Sequence, residues 1–146
     1  MAAATALIDL YSDDDIDNLS ISCVPNVLVL FNPVIDNSPC GYGNEKLTID
    51  YKTFSPIHNI RSGAPPTIIF LGTNDNLISV ETIKYYKAVM DEVGSKCDIH
   101  FYEGQKHVFF NFSNFEYFKK TVTKADEFLV SLGYLGTEPV VPIVED

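Results

Sequence analysis

Pro65-Pro66-Thr67-Ile68-Ile69-Phe70-Leu71-Gly72-Thr73-Asn74-Asp75 sets an unbroken apolar and β-branched run between a proline pair and a glycine turn. Proline cannot donate to a sheet ladder and belongs at a strand's entrance, while Gly-Thr-Asn-Asp is turn chemistry and marks the exit. A short run that is apolar on both faces predicts a strand of a parallel sheet covered by helices. Val27-Leu28-Val29-Leu30-Phe31 repeats the design, entered by Pro25-Asn26 and left through Asn32-Pro33. Asp98-Ile99-His100-Phe101-Tyr102 alternates more and ends at Glu103-Gly104, which predicts a more exposed edge strand.

Helical periodicity fills the intervals. From about Val80 to Val93, the residues Ile83, Tyr86, Met90 and Val93 recur at spacings of three and four, with Gly94 as the stop. Phe118, Val122, Ala125, Leu129 and Leu132 trace a single apolar stripe closed by Gly133. Met1 to Tyr11 is rich in strong helix formers but has no N-cap residue before it. The order helix, strand, long loop, strand, helix, strand, helix predicts an α/β fold, a partial doubly wound sheet of about three parallel strands with flanking helices. Residues 1-135 are expected to form one domain, and residues 136-146, with Pro139, Pro142 and terminal acids, a flexible tail. The connection from Asn32 to Pro66 is far longer than an ordinary loop. It is rich in turn formers, among them Asp36, Asn37, Gly41 and Gly43, and is expected to hold a short helix and wall part of a pocket.

Composition narrows the function. The chain has 146 residues, enough for one hydrophobic core, and 20 acidic against 10 basic residues give a formal charge of -10. That balance argues against a nucleic acid or an anionic membrane as partner, since both require a basic surface. The cluster Asp13-Asp14-Asp15-Ile16-Asp17-Asn18 lacks the glycine and the terminal glutamate of a calcium loop and reads as a solvated connection. Cys23, Cys40 and Cys97 are widely spaced, with no C-x-x-C pair to suggest zinc or redox chemistry. No apolar run approaches the roughly 18–20 residues of a membrane span, and no signal-peptide pattern appears, so the sequence assigns no compartment.

Ligands of open α/β sheets bind beyond the carboxyl ends of the strands. Two strand ends carry chemistry: Gly72-Thr73-Asn74-Asp75 after one and Glu103-Gly104-Gln105-Lys106-His107 after the next. Alone, Asp75 is a turn residue and His107 a polar loop side chain. Together, in the order acid then base on adjacent loops, they form a candidate catalytic pair, the carboxylate accepting the imidazole N–H and fixing its tautomer. Phe109 and Phe110 are expected to shield that imidazole from water. His100 lies inside a strand, and His58, in Ser55-Pro56-Ile57-His58, precedes the second strand and is expected to hold a loop. Cys40, beside Gly41, is a remote candidate for a substitute nucleophile and stands on the wrong segment for one.

Leu30-Phe31-Asn32-Pro33-Val34, Ser55-Pro56-Ile57-His58, Leu71-Gly72-Thr73-Asn74-Asp75 and Tyr102-Glu103-Gly104-Gln105-Lys106-His107 occur in an order and spacing that resembles a known family. From Ala2 to Leu135 the chain looks like the C-terminal half of an α/β-hydrolase fold, in its esterase and lipase branch. It is close in text to acetylesterase-like and acetyl-xylan-esterase-like members. The resemblance implies a carboxylic ester hydrolase that works through an acyl-enzyme on a small-molecule ester, without cofactor or metal, with Asp75 as triad acid and His107 as general base. It also implies a nucleophile elbow of the form G-x-S-x-G upstream of both, and no such pattern stands anywhere in these residues. By the same resemblance, Ala2 to Leu7 belongs to the helix following the elbow. The expectation is therefore a fragment that lacks nucleophile and oxyanion loop, is inactive alone, and either self-associates through an exposed sheet edge at Val27 to Phe31 or is partly unfolded. The alternatives are a non-catalytic α/β binding module and a fragment of a prolyl-oligopeptidase-type serine peptidase. A flavodoxin-like or receiver-like domain would need an acidic or phosphate-binding cluster where Asn32-Pro33-Val34 stands.

Overall fold

Residues whose side chains are apolar on both faces need cover on both faces, and the chain supplies it in two layers. A computed structural model describes residues 2–8, 18 and 20–136. Among these, three strands and three α-helices follow in the order α1 (Ala2–Leu7), β1 (Leu28–Phe31), β2 (Thr67–Gly72), α2 (Val80–Glu92), β3 (Cys97–Tyr102) and α3 (Phe115–Ser131). The acidic cluster at 13–17 and the tail from 137 onward lie outside the described residues. The strands form one parallel sheet in the order β1-β2-β3, with Leu28 to Phe31 paired to Thr67 to Phe70 and Thr67 to Gly72 paired to Cys97 to Tyr102. The predicted α/β architecture is what forms, with strand ends shifted by a residue.

β2 lies between the other two strands, and all its residues are buried. The two-residue period of a strand sends Ile69 and Leu71 to one face, where they join Leu7 of α1 and Ile83, Tyr86 and Met90 of α2. It sends Ile68 and Phe70 to the other, where they meet Phe109 and Phe128 beneath α3. Burying each such side chain contributes roughly 1.5–3 kcal/mol, which is why β2 organises both layers. The predicted face of α2 is the buried one, and Gly94 stops the helix at a φ of 76°.

The stripe predicted for α3 is rotated. Its innermost residues are Thr121 and Phe128, flanked by Tyr117, Ala125 and Leu132, whereas Phe118 turns aside to pack on Phe112 and Phe115. Thr121 can be buried because its hydroxyl donates back to the carbonyls of Tyr117 and Phe118 at 2.9 and 3.0 Å. Periodicity read from hydrophobicity alone assigns that position to the surface.

The long connection contains three 3₁₀ turns, at Asn44–Lys46, Tyr51–Thr53 and Pro56–Asn59, in place of the single short helix expected. They are tied around the fully buried Ser55, whose hydroxyl receives the Asn37 amide at 3.0 Å and pairs with His58 Nδ1 at 3.0 Å. His58 therefore holds the loop, as its position suggests.

The ends of β2 and β3 are drawn together by their loops. Thr73 N–H donates to the Tyr102 carbonyl at 3.0 Å, Asn74 N–H to the Gln105 carbonyl at 2.9 Å, and Gly104 N–H to Thr73 Oγ1 at 2.8 Å. A Cβ placed on Gly72 would stand 2.2 Å from the Gln105 carbonyl oxygen, a backbone atom held in that network. Only glycine allows this approach. A Gly72→Ala variant is expected to lose about 2 kcal/mol in urea unfolding, because one of the two loops must move away; a variant as stable as the parent would show that the junction is slack.

Candidate active site

The junction brings the two sequence-predicted residues into contact. Asp75 Oδ2 lies 2.8 Å from His107 Nδ1, on loops that follow neighbouring strands. The Asp75 side chain is wholly buried, and that of His107 is 32% exposed. No hydrogen bond engages His107 Nε2 among the described residues, so the imidazole offers one nitrogen to the carboxylate and one to the outside.

A buried carboxylate needs donors, and Asp75 has four. Besides His107 these are Asn32 Nδ2, which also reaches Oδ2, and the backbone N–H groups of Leu77 and Ile78, which reach Oδ1 at 2.8 and 3.2 Å. Burial by itself would raise the pKa of this carboxyl. The hydrogen bonds from Leu77, His107, Asn32 and Ile78 outweigh it and hold Asp75 below its ordinary value, so it stays ionised at neutral pH. Two of the donors come from the turn that Asp75 itself opens, immediately before Ser79 caps α2 by accepting from Thr82 N–H at 3.1 Å. The Asn-Asp turn read from sequence and the candidate acid are thus the same feature.

Asn32 is the residue that sequence reading missed. It appeared only as a turn former after the first strand, yet it is 6% exposed and carries a φ of 45°, a left-handed conformation that asparagine tolerates better than most residues. The signal available was its place at a third strand end, beside the other two. Val108, next to His107, has a φ of 60°, which is a strained conformation for a β-branched residue and turns the chain sharply after the imidazole.

Phe109 and Phe110 do not cover the imidazole as expected. Their rings pack inward, Phe110 against Phe31 at 4.7 Å between centroids and Phe109 against Tyr102 at 4.9 Å. Apolar rings of this size gain more from the core under α3 than from a rim, so they anchor the histidine loop from below. His100 stacks on Phe70 at 5.6 Å, and burial pushes its imidazole below the ordinary value, as suits a packed strand residue. Cys97 is buried, and burial pushes its thiol up to about 12, which keeps it protonated. Cys40 is exposed in the long loop and takes part in no hydrogen bond among the described residues. Among the described residues no His, Cys, Asp and Glu cluster could hold a metal ion, and no helix is long and apolar enough to cross a membrane.

Comparison with known proteins bears on the family and the fold. The model of the dienelactone hydrolase family matches residues 33–132. No curated protein matches. Among solved structures, esterase 2 of Thermogutta terrifontis phosphoramylated by tabun superposes with a TM-score of 0.82 at 39% identity, covering 93% of this chain and 52% of the esterase. The native form of that esterase gives a TM-score of 0.82 at 37% identity, covering 94% and 53%. Its butyrate-bound form gives 0.81 at 37%, covering 93% and 54%. The chain spans about half the length of the esterase structures it matches. The three-stranded sheet with its helices is part of an α/β-hydrolase fold of the esterase kind, and the chain belongs to the dienelactone hydrolase family.

Proposed function

We propose that the chain carries the acid and base of a serine carboxylic-ester hydrolase, with Asp75 and His107 in those roles. The observation that carries the reading is the 2.8 Å bond between a buried carboxylate and an imidazole whose other nitrogen is unengaged. In that reaction His107 Nε2 takes the proton of an attacking serine hydroxyl and returns it to the leaving alcohol. Asp75 accepts the Nδ1–H, fixes the tautomer and stabilises the imidazolium that forms. Small esters are the substrate class. The neighbouring esterase, solved with propionate and with butyrate, supports this class.

The chain alone supplies half of this chemistry. No G-x-S-x-G stands in its sequence, and removing the nucleophile from a serine triad lowers turnover by about 10⁶. The purified chain is therefore expected to hydrolyse p-nitrophenyl acetate no faster than its His107→Ala variant. Joined to a segment of the Thermogutta esterase that carries its nucleophile, it is expected to gain activity that His107→Ala removes. Turnover by the chain alone, lost on His107→Ala, would overturn the first expectation; a joined enzyme indifferent to His107 would overturn the assigned role.

We also propose that β1 is an association edge. Leu28 and Asn32 donate to Pro66 and Phe70 on the β2 side, each at 2.9 Å. By strand periodicity the backbone of Val29 and Phe31 faces the other side, where no strand pairs among the described residues. Sedimentation velocity is expected to show dimers or larger species that dissociate when Val29→Pro blocks the edge, and a parent that sediments as a monomer at all concentrations would count against this.

A further inference from the structure

The Asp75 carboxylate is tied to three separate stretches of chain, and only one of these ties comes from β1. The backbone donors of Leu77 and Ile78 belong to Asp75's own turn and move with it. His107 is the group to be oriented. That leaves Asn32, 43 residues earlier in sequence, as the donor that anchors the carboxylate to the sheet from outside.

We propose that Asn32 is a positioning residue for the acid–imidazole pair, its carboxamide fixing the Asp75 carboxylate on the line to His107. This rests on the reading of Asp75 and His107 as acid and base. A carboxylate oxygen only accepts, so the carboxamide must turn its nitrogen to Asp75, and its own oxygen is placed by that choice. There Asn32 Oδ1 is buried without a hydrogen-bond partner among the described residues. A buried acceptor left unpaired and a left-handed backbone both count against stability. A residue needed only to end β1 would incur neither: glycine adopts this backbone freely and has no carbonyl to orphan. Asparagine at this position makes sense for the bond it gives to Asp75 Oδ2, the same oxygen that receives His107 Nδ1. With both lone-pair sites of Oδ2 occupied, and Oδ1 held by two amides, the carboxylate has no free direction in which to rotate.

The test separates positioning from structural support. Nitrogen-15 NMR of histidine-labelled chain reads which ring nitrogen of neutral His107 carries the proton, and thermal melting reads stability. The parent is expected to hold the proton on Nδ1. Asp75→Asn is expected to lose that signature, because its amide nitrogen then faces the imidazole. Asn32→Gly is expected to melt within about 5 °C of the parent, since strain and the orphaned carbonyl go together with the hydrogen bond, yet to lose the Nδ1–H population in favour of the free-imidazole mixture. An Asn32→Gly chain that keeps the signature, or one that fails to fold, would overturn the positioning role, the second by showing that Asn32 serves stability. Should Asp75→Asn leave the signature intact, the acid–base reading itself fails, whatever Asn32 does.

Discussion

A carboxylate out of reach of water must be matched by donors or it will not stay charged, and the placement of Asp75 meets that demand from three directions. Its own turn supplies two backbone amides, the loop after β3 supplies an imidazole, and the end of β1 supplies a carboxamide. The three strand ends are thereby joined through one side chain. The rest of the architecture can be understood as what is required to bring those ends within hydrogen-bond distance and keep them there.

Two features provide the closeness. Parallel pairing without a skipped strand sets the carboxyl ends of β1, β2 and β3 side by side. Gly72 then lets the loop after β3 lie directly on the end of β2, where any side chain would collide with the Gln105 carbonyl. Below the rim, Ile68 and Phe70 on one face and Ile69 and Leu71 on the other lock the central strand between helices. Phe109 and Phe110 extend that core upward into the histidine loop. The imidazole is thus mounted on apolar packing while its free edge meets solvent, a division of labour between core and rim that suits proton transfer.

Much of this was legible in the chain. An apolar run bounded by proline and glycine can scarcely be anything but a buried strand, and β2 forms where that pattern stands. The contact between Asp75 and His107 was readable because both the residue type and the strand-end position point the same way. What failed to show was whatever depends on satisfying a polar atom in three dimensions. Thr121 faces inward because its hydroxyl bonds to its own helix, which no hydrophobicity pattern registers. Asn32 resembled any other residue of a polar turn, since its partner lies 43 positions away. Phe109 and Phe110 were assigned to the histidine by adjacency, but the aromatic groups already gathered at Phe31, Phe70 and Tyr102 drew them into the core. Sequence adjacency is a poor guide in a loop that reverses within two residues, as the left-handed Val108 makes this one do.

The central claim is that the carboxylate of Asp75 and the imidazole of His107 act on each other as a bonded unit. A double-mutant cycle built from Asp75→Asn, His107→Gln and the combined variant measures that directly by urea unfolding at neutral pH. The account predicts a coupling free energy of about 1–3 kcal/mol between the two positions. Additive losses, agreeing within about 0.5 kcal/mol, would mean the two side chains stand independently and would contradict it.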